Sequence, residues 1–271
     1  MKPEQILTGL QSPCGLAFDA DDVCFVSEAA TGRIVKTSPE GRIVTFAETG
    51  RSPAGIAFDD SGDLFVAETG RYHVLLISPD EAIKVYASQC KGRRFAGPRA
   101  LTFSPTGNVL FTDSGEDSTG AVFRADLDGE VKLITGDLSH PSGIVLAEDS
   151  VSLFVSESSM RRIVCLELDE NEDVENRETF IEFDDGGDIG SILFDSQGTL
   201  YVAREGLGIT TVDPDGNVTG TISLPGERPA GMVFGGLNYD ELFVAETDTG
   251  NIYRLQSEQP GQRPFAGPRS V

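Results

Sequence analysis

The chain has 271 residues, of which 44 are Asp or Glu and 21 are Lys or Arg, giving a formal net charge of −23. So acidic a balance excludes a broad phosphate-binding face, which needs clustered Lys and Arg, and it points away from nucleic acid and toward basic protein partners. The 31 glycines and 14 prolines fall between apolar runs, and no stretch carries a sustained helical period or a long unbroken apolar run, so neither a helical fold nor a membrane span is expected.

A strand-like run at Gln5–Thr8 comes first and has no companion strands of its own. From Pro13 onward one unit recurs: an apolar run opened by Pro-x-Gly, a tight polar turn, and a second apolar run that ends on a carboxylate. The clearest copy is Ser52-Pro-Ala-Gly-Ile-Ala-Phe-Asp-Asp-Ser-Gly-Asp-Leu-Phe-Val-Ala-Glu68, which reads as two antiparallel strands. The large apolar residue closing the first run marks each copy, at Phe18, Phe58, Phe103, Leu146, Phe194 and Phe234, with spacings of 40, 45, 43, 48 and 40 residues. A third strand follows, as at Arg33-Ile-Val-Lys, His73-Val-Leu-Leu-Ile and Asn251-Ile-Tyr-Arg-Leu, and in most copies a fourth, as at Asn217-Val-Thr-Gly-Thr-Ile. Four strands repeating at this period predict the blades of a β-propeller.

The expected fold is therefore all-β: one six-bladed β-propeller over residues 1–256, four antiparallel strands per blade, with no domain boundary. The last copy supplies only three strands, Gly231–Phe234, Glu241–Glu246 and Asn251–Leu255. A closed ring must remove its free edges, so Gln5–Thr8 is assigned as the outer strand that closes the last blade. Residues 257–271, rich in Pro, Gly, Gln and Arg, are expected to project as a flexible C-terminal tail. Two insertions interrupt the period. One is Gly115–Gly120 in the third blade; the other is Asp169–Glu178 in the fourth, where six of ten residues are acidic and a solvated loop is expected.

Cys14, Cys24, Cys90 and Cys165 show no close pairing and suit buried thiols in a reducing, cytoplasmic compartment, and no charged-then-apolar leader opens the sequence. His73 and His140 are the only histidines, too few for a histidine-based triad or zinc site. Cys14, placed beside Arg99 in the projected ring, is a candidate low-pKa thiolate or a small buried filler.

The Pro-x-Gly openings at Pro13-Cys-Gly15, Pro53-Ala-Gly55, Pro141-Ser-Gly143 and Pro229-Ala-Gly231, with Leu110-Phe-Thr-Asp113, Leu153-Phe-Val-Ser-Glu157 and Phe234-Gly-Gly-Leu-Asn-Tyr-Asp-Glu-Leu-Phe243, resemble the SMP-30/gluconolactonase/LRE-like superfamily and, more loosely, NHL-repeat propellers. The resemblance covers essentially the whole chain. It implies a channel mouth at which catalytic members hold a divalent metal, usually Ca²⁺, through Glu, Asn and Asp side chains at the residues just after the blade-opening proline. Carried over, those positions are Cys14, Ala54, Arg99, Ser142, Gly190 and Ala230. The family's Glu falls on Cys14, its Pro-Asn-Asp on Pro98-Arg99-Ala100, its Pro-Asn-Gly on Pro141-Ser142-Gly143 and its Asp on Gly190. No carboxylate or amide stands at any of them, and Arg99 puts a fixed cation there. A shift of register in the fifth blade would bring Asp188 into play. A second constellation is the set of acids ending the second strands, Glu28, Glu68, Asp113, Glu157, Glu205 and Glu246, readable either as an anionic ring or as repeated turn-capping and ion-pairing groups.

With the metal ligands replaced, the expectation from sequence is a non-catalytic propeller, without cofactor, acting as a protein-interaction platform or assembly subunit. The alternative is a divergent lactonase or esterase of the SMP-30 type acting on a small molecule at the central channel, with Ca²⁺ or another divalent metal as its possible cofactor.

Overall fold

A computed structural model describes residues 2–37, 42–115 and 119–265. Six four-stranded antiparallel sheets surround a central channel; five run in sequence order from an inner to an outer strand, and in the last the N-terminal strand is outermost. The inner strands are Pro13–Phe18, Pro53–Phe58, Pro98–Phe103, Pro141–Leu146, Ile189–Phe194 and Pro229–Gly235. Four of the second strands, Leu64–Glu68 and Leu200–Arg204 among them, are buried at every residue and the other two at all but their first, because neighbouring blades cover both faces, which is why they read as largely apolar runs. The outer strand Ile43–Glu48 is exposed at four of its six residues. A two-stranded hairpin absent from the sequence reading, Gln89–Cys90 with Arg93–Arg94, stands between the second and third blades.

The core is a ring of six apolar clusters, each shared by two adjacent blades. At five junctions an aromatic ring of one second strand meets, edge-on, the marker phenylalanine of the next blade: Phe25 with Phe58, Phe65 with Phe103, Phe154 with Phe194, Tyr201 with Phe234, and Phe243 with Phe18, at centroid separations of 4.7–5.5 Å. Between the third and fourth blades both partners change together, to Leu110 and Leu146 in one cluster, which accounts for the one marker that is not Phe. Hydroxyls tie five of the six junctions near the channel: Ser27 donates to Ala54 O (2.6 Å), Thr69 to Pro98 O (2.6 Å), Thr112 to Ser142 O (2.7 Å), Ser156 to Gly190 O (2.9 Å) and Thr247 to Pro13 O (3.0 Å).

The ring closes as expected, with one residue's difference in the strand. Glu4–Leu7 pairs antiparallel with Asn251–Gln256, Glu4 opposite Arg254 and Leu7 opposite Ile252. The glycines of the Pro-x-Gly openings set how tightly the inner strands can approach. A Cβ on Gly231 would lie 2.0 Å from Cys14 O, and one on Gly15 would lie 2.3 Å from Ala54 O, so no side chain fits where one blade meets the next.

Two expectations are corrected. The acidic insertion is a tight turn at 169–173 leading directly into the outer strand Val174–Glu182, and Glu172 is buried, not solvated. It accepts from Thr106 (2.7 Å) and Asn108 (2.8 Å) of the third blade and pairs with Arg124 (3.4 Å), so its charge is met by partners that the acidic composition hides. The middle of the other insertion, 116–118, lies outside the described residues.

The second correction concerns the C-terminal segment, which through residue 265 is docked and does not project; residues 266–271 lie outside the described residues. Pro260 O accepts from Ser196 N (2.8 Å), Gly261 N donates to Tyr239 O (2.7 Å), Gln262 N to Phe194 O (3.0 Å) and Gln262 Nε2 to Leu146 O (2.8 Å). The segment crosses the end of the channel away from the Pro-x-Gly openings. There Gln262, Pro264 and Phe265 join all six marker residues in lining a second, largely apolar cavity of about 210 Å³. Gly261 is required at the crossing, because a Cβ would come within 2.2 Å of the Phe234 ring. Truncation before Gln259 removes four hydrogen bonds and the packing of Phe265, and at about 1 kcal/mol net per bond it should lower stability by roughly 3–5 kcal/mol. A thermal melt of the truncated chain matching that of the parent would show that the segment is not held in solution.

Candidate functional site

The channel mouth is built from the six blade openings, so the groups that fix those loops come first. Pro13 pairs with Glu28, Pro53 with Glu68, Pro98 with Asp113, Pro141 with Glu157 and Pro229 with Glu246. Each of these carboxylates is buried and accepts from backbone N–H groups of the loop just before the proline: Glu28 from Gln11 (2.8 Å), Glu68 from Ser52 (2.6 Å), Asp113 from Ala96 and Gly97 (2.8 and 2.5 Å), Glu157 from Ser139 (2.7 Å) and Glu246 from Arg228 (2.7 Å). Arg33 and Arg162 add ion pairs to Glu28 (2.6 Å) and Glu157 (2.5 Å). The acids thus point into the scaffold, where they satisfy loop amides that would otherwise be buried without partners.

The fifth blade inverts this chemistry. Ile189 takes the proline's place opposite Arg204, so the repeated position is Arg204, and Glu205 stands one residue beyond the predicted ring. The Arg204 side chain is buried, stacks on Phe183 at 4.1 Å, and donates to Asp185 O and Gly186 O (2.8 and 2.9 Å) and to the Asp185 carboxylate (2.8 Å). This loop presents carbonyls where the others present amides, so a cation replaces the anion. Glu205 is displaced into the mouth.

The mouth is a cavity of about 440 Å³, inside the range of small-molecule sites. Of the residues carried over from the family pattern, Cys14, Arg99, Ser142, Gly190 and Ala230 line it. Ala54 does not. It is buried, and its carbonyl is taken by Ser27. Asp188 lines the cavity without any shift of register, from the position that precedes the opening residue; Ser12 and Arg228 enter from the same position in their blades. That position was the signal the sequence reading missed for Ser12 and Arg228. Arg228 lies 3.6 Å from Glu205 and 3.4 Å from Asp248. Asp188 and Arg99 have exposed side chains with no side-chain hydrogen bond or ion pair among the described residues.

Cys14 keeps part of its surface open to the cavity, yet burial pushes its thiol above the ordinary value and outweighs the opposing charges of Arg99 and Arg228. A neutral thiol at neutral pH is no activated nucleophile. Nor does the donor set fit a hard divalent cation, which takes six to eight oxygens. The positions after the opening residues offer a thiol, a hydroxyl, a guanidinium and a glycine, and among the described residues no three His, Cys, Asp or Glu side chains are grouped to hold a metal ion. No helix among the described residues is long and apolar enough to cross a membrane.

The sequence profile of the SMP-30/Gluconolactonase/LRE-like region matches residues 13–248. A gluconolactonase of Zymomonas mobilis is 32% identical over 200 residues, covering 65% of this chain and 55% of that protein. The pentonolactonase XacC of Haloferax volcanii is 29% identical over 144 residues, covering 52% and 50%. The chain thus spans about half the length of the curated relatives it matches. Among solved structures, the calcium-binding protein regucalcin of Agrobacterium tumefaciens superposes with a TM-score of 0.86 at 18% identity, covering 98% of this chain and 97% of that one. A gluconolactonase of Xanthomonas campestris does so at 0.83 with 20% identity, covering 95% and 89%. Identity at that level shows a shared fold. The sequence relatives, both lactonases, overturn the expectation of a non-catalytic interaction platform.

Proposed function

Because this chain belongs to the SMP-30/gluconolactonase/LRE-like family, we propose that it is a lactonase that opens small sugar lactones at its channel mouth. The observation that carries the reading is Asp188. Five of the six ring positions hold carboxylates turned inward onto backbone amides and Glu205 is paired with Arg228, but Asp188 faces a cavity of about 440 Å³ with no side-chain partner among the described residues. A carboxylate so placed can accept a proton from a water molecule as the water oxygen attacks the lactone carbonyl carbon. The ring C–O bond then breaks, the departing ring oxygen takes the proton from Asp188, and the product is the open hydroxy acid. The hydroxyls of Ser12 and Ser142 and the backbone of the blade openings line the cavity where a polyhydroxylated ring would lie.

The relatives' names suggest the first substrates to try. Purified protein should accelerate the hydrolysis of glucono- and pentono-lactones above the spontaneous rate, read as acid release in a pH-stat. Since the residues present do not fit a metal, the activity should survive chelator treatment. No acceleration with any aldonolactone, with or without added Ca²⁺, would overturn the reading.

A further inference from the structure

We propose that the mouth binds substrates carrying a singly charged anionic group beside the lactone ring, a carboxylate first, and that Arg99 is the residue that reads it. The inference rests on the lactonase reading for its reaction, but its binding claim stands on Arg99 alone. With a net charge of −23 the molecule as a whole repels anions, so an exposed guanidinium that lines the central cavity and has no ion pair among the described residues is a local exception, free to meet an anionic group there. The buried ring acids do not supply one. Each is turned inward onto an amide of its blade opening and, in two blades, onto Arg33 or Arg162 as well; the one oxygen without a partner, Glu68 Oε2, is buried away from the mouth's solvent. Arg228 has two acidic neighbours; Arg99 has none among the described residues. Cys14 adds no negative charge while its thiol stays protonated.

The backbone beneath Arg99 is fixed on both sides, which sets where its exposed side chain leaves the ring. Pro98 O accepts from Thr69 (2.6 Å), Gly97 N donates to Asp113 (2.5 Å), and the second blade packs so closely that a Cβ on Gly55 would lie 2.9 Å from Arg99 O. A planar guanidinium fork matches a carboxylate in a two-bond contact. One such cation balances one charge. A phosphate monoester, at about −1.5 to −2, would be left partly uncompensated in so acidic a protein.

The test uses the full chain and three probes that share one ring: D-glucuronate, D-glucose and D-glucose 6-phosphate, titrated calorimetrically. Glucuronate should bind at least about tenfold more tightly than glucose, Arg99→Gln should lose that advantage, and Arg99→Lys should keep part of it. In turnover, the ratio of kcat/KM for D-glucaro-1,4-lactone over D-glucono-1,4-lactone should favour the acid form in the parent and fall toward unity in Arg99→Gln. Equal binding of glucuronate and glucose, or glucuronate binding unchanged in Arg99→Gln, would overturn the proposal; tighter binding of glucose 6-phosphate than of glucuronate would overturn its single-charge form. If glucuronate binds through Arg99 while no lactone is opened, the lactonase reading fails and the anion site stands. If lactones are opened while glucuronate and glucose bind alike, the anion site fails and the lactonase reading stands.

Discussion

Deletion of residues 2–10 should lower the unfolding midpoint by roughly 10–20 °C. Leu10 is buried, and Ile6 and Leu7 pack against Leu16, Val26, Phe243, Ala245 and Ile252 at the junction of the last and first blades. Burying one Leu or Ile fully is worth about 1.5–3 kcal/mol; discounting Ile6 and Leu7 for partial exposure leaves about 5 kcal/mol for the three. For a chain of this size each kcal/mol moves the midpoint by about 2–4 °C. The deletion also leaves Asn251–Gln256 as an open edge, so the variant should aggregate on heating where the parent does not. The contrast is Glu4→Ala, which breaks only the partly exposed pair with Arg254 and should scarcely move the midpoint. A deletion variant that melts with the parent would mean that the ring is closed by some other contact.

Closure was legible because a three-stranded last copy and an orphan strand at the start leave one economical solution, and the marker spacing alone gave the blade count. The marker at Leu146 is the one of the six that is not Phe. In the folded ring it is one half of a matched pair with Leu110, and periodicity within a single copy cannot show that. The misplacement of Glu205 has a similar origin. Ala203-Arg204-Glu205 offers an acid where a ring of acids was expected, and only the pairing of Arg204 with Ile189 reveals that the loop there needs a donor to carbonyls. The C-terminal segment reads as a projecting flexible tail from its Pro, Gly, Gln and Arg content. Its docking depends on backbone hydrogen bonds and on the missing side chain of Gly261, and neither leaves a compositional trace.

The site was half legible. Reading the replaced ligand positions as lost chemistry treated the metal as the whole of the activity, whereas two sequence relatives are named lactonases and the cavity holds the carboxylate of Asp188. Five of the six carried-over positions do line one cavity, and Asp188 joins them because residues on both sides of the opening position face the mouth. Ala54 fails to do so because the Ser27 hydroxyl holds its carbonyl and its short side chain is covered.

Asp188→Asn should abolish most of the proposed activity. The substitution keeps the shape of the side chain and removes its capacity to take a proton, and the loss of a positioned general base costs about 10²–10⁴-fold in rate. The fall should appear in kcat and in kcat/KM together, because the proton leaves water only as the carbonyl carbon is attacked and the ground-state complex gains little from the charge. Stability should not change, since the Asp188 side chain is exposed and makes no hydrogen bond or ion pair among the described residues; only its backbone carbonyl is engaged, by Glu205 N at 2.9 Å, and that bond is untouched. Glu205→Gln supplies the comparison within the same cavity. Glu205 lies 3.6 Å from Arg228, which engages its carboxylate and leaves it less available to a water molecule than the unpartnered Asp188, so its removal should cost much less. Should Glu205→Gln prove the more damaging of the two, the base is Glu205 and the roles assigned here are exchanged. Should both variants retain parental rates, water is activated elsewhere, and the fifth blade has no part in the reaction.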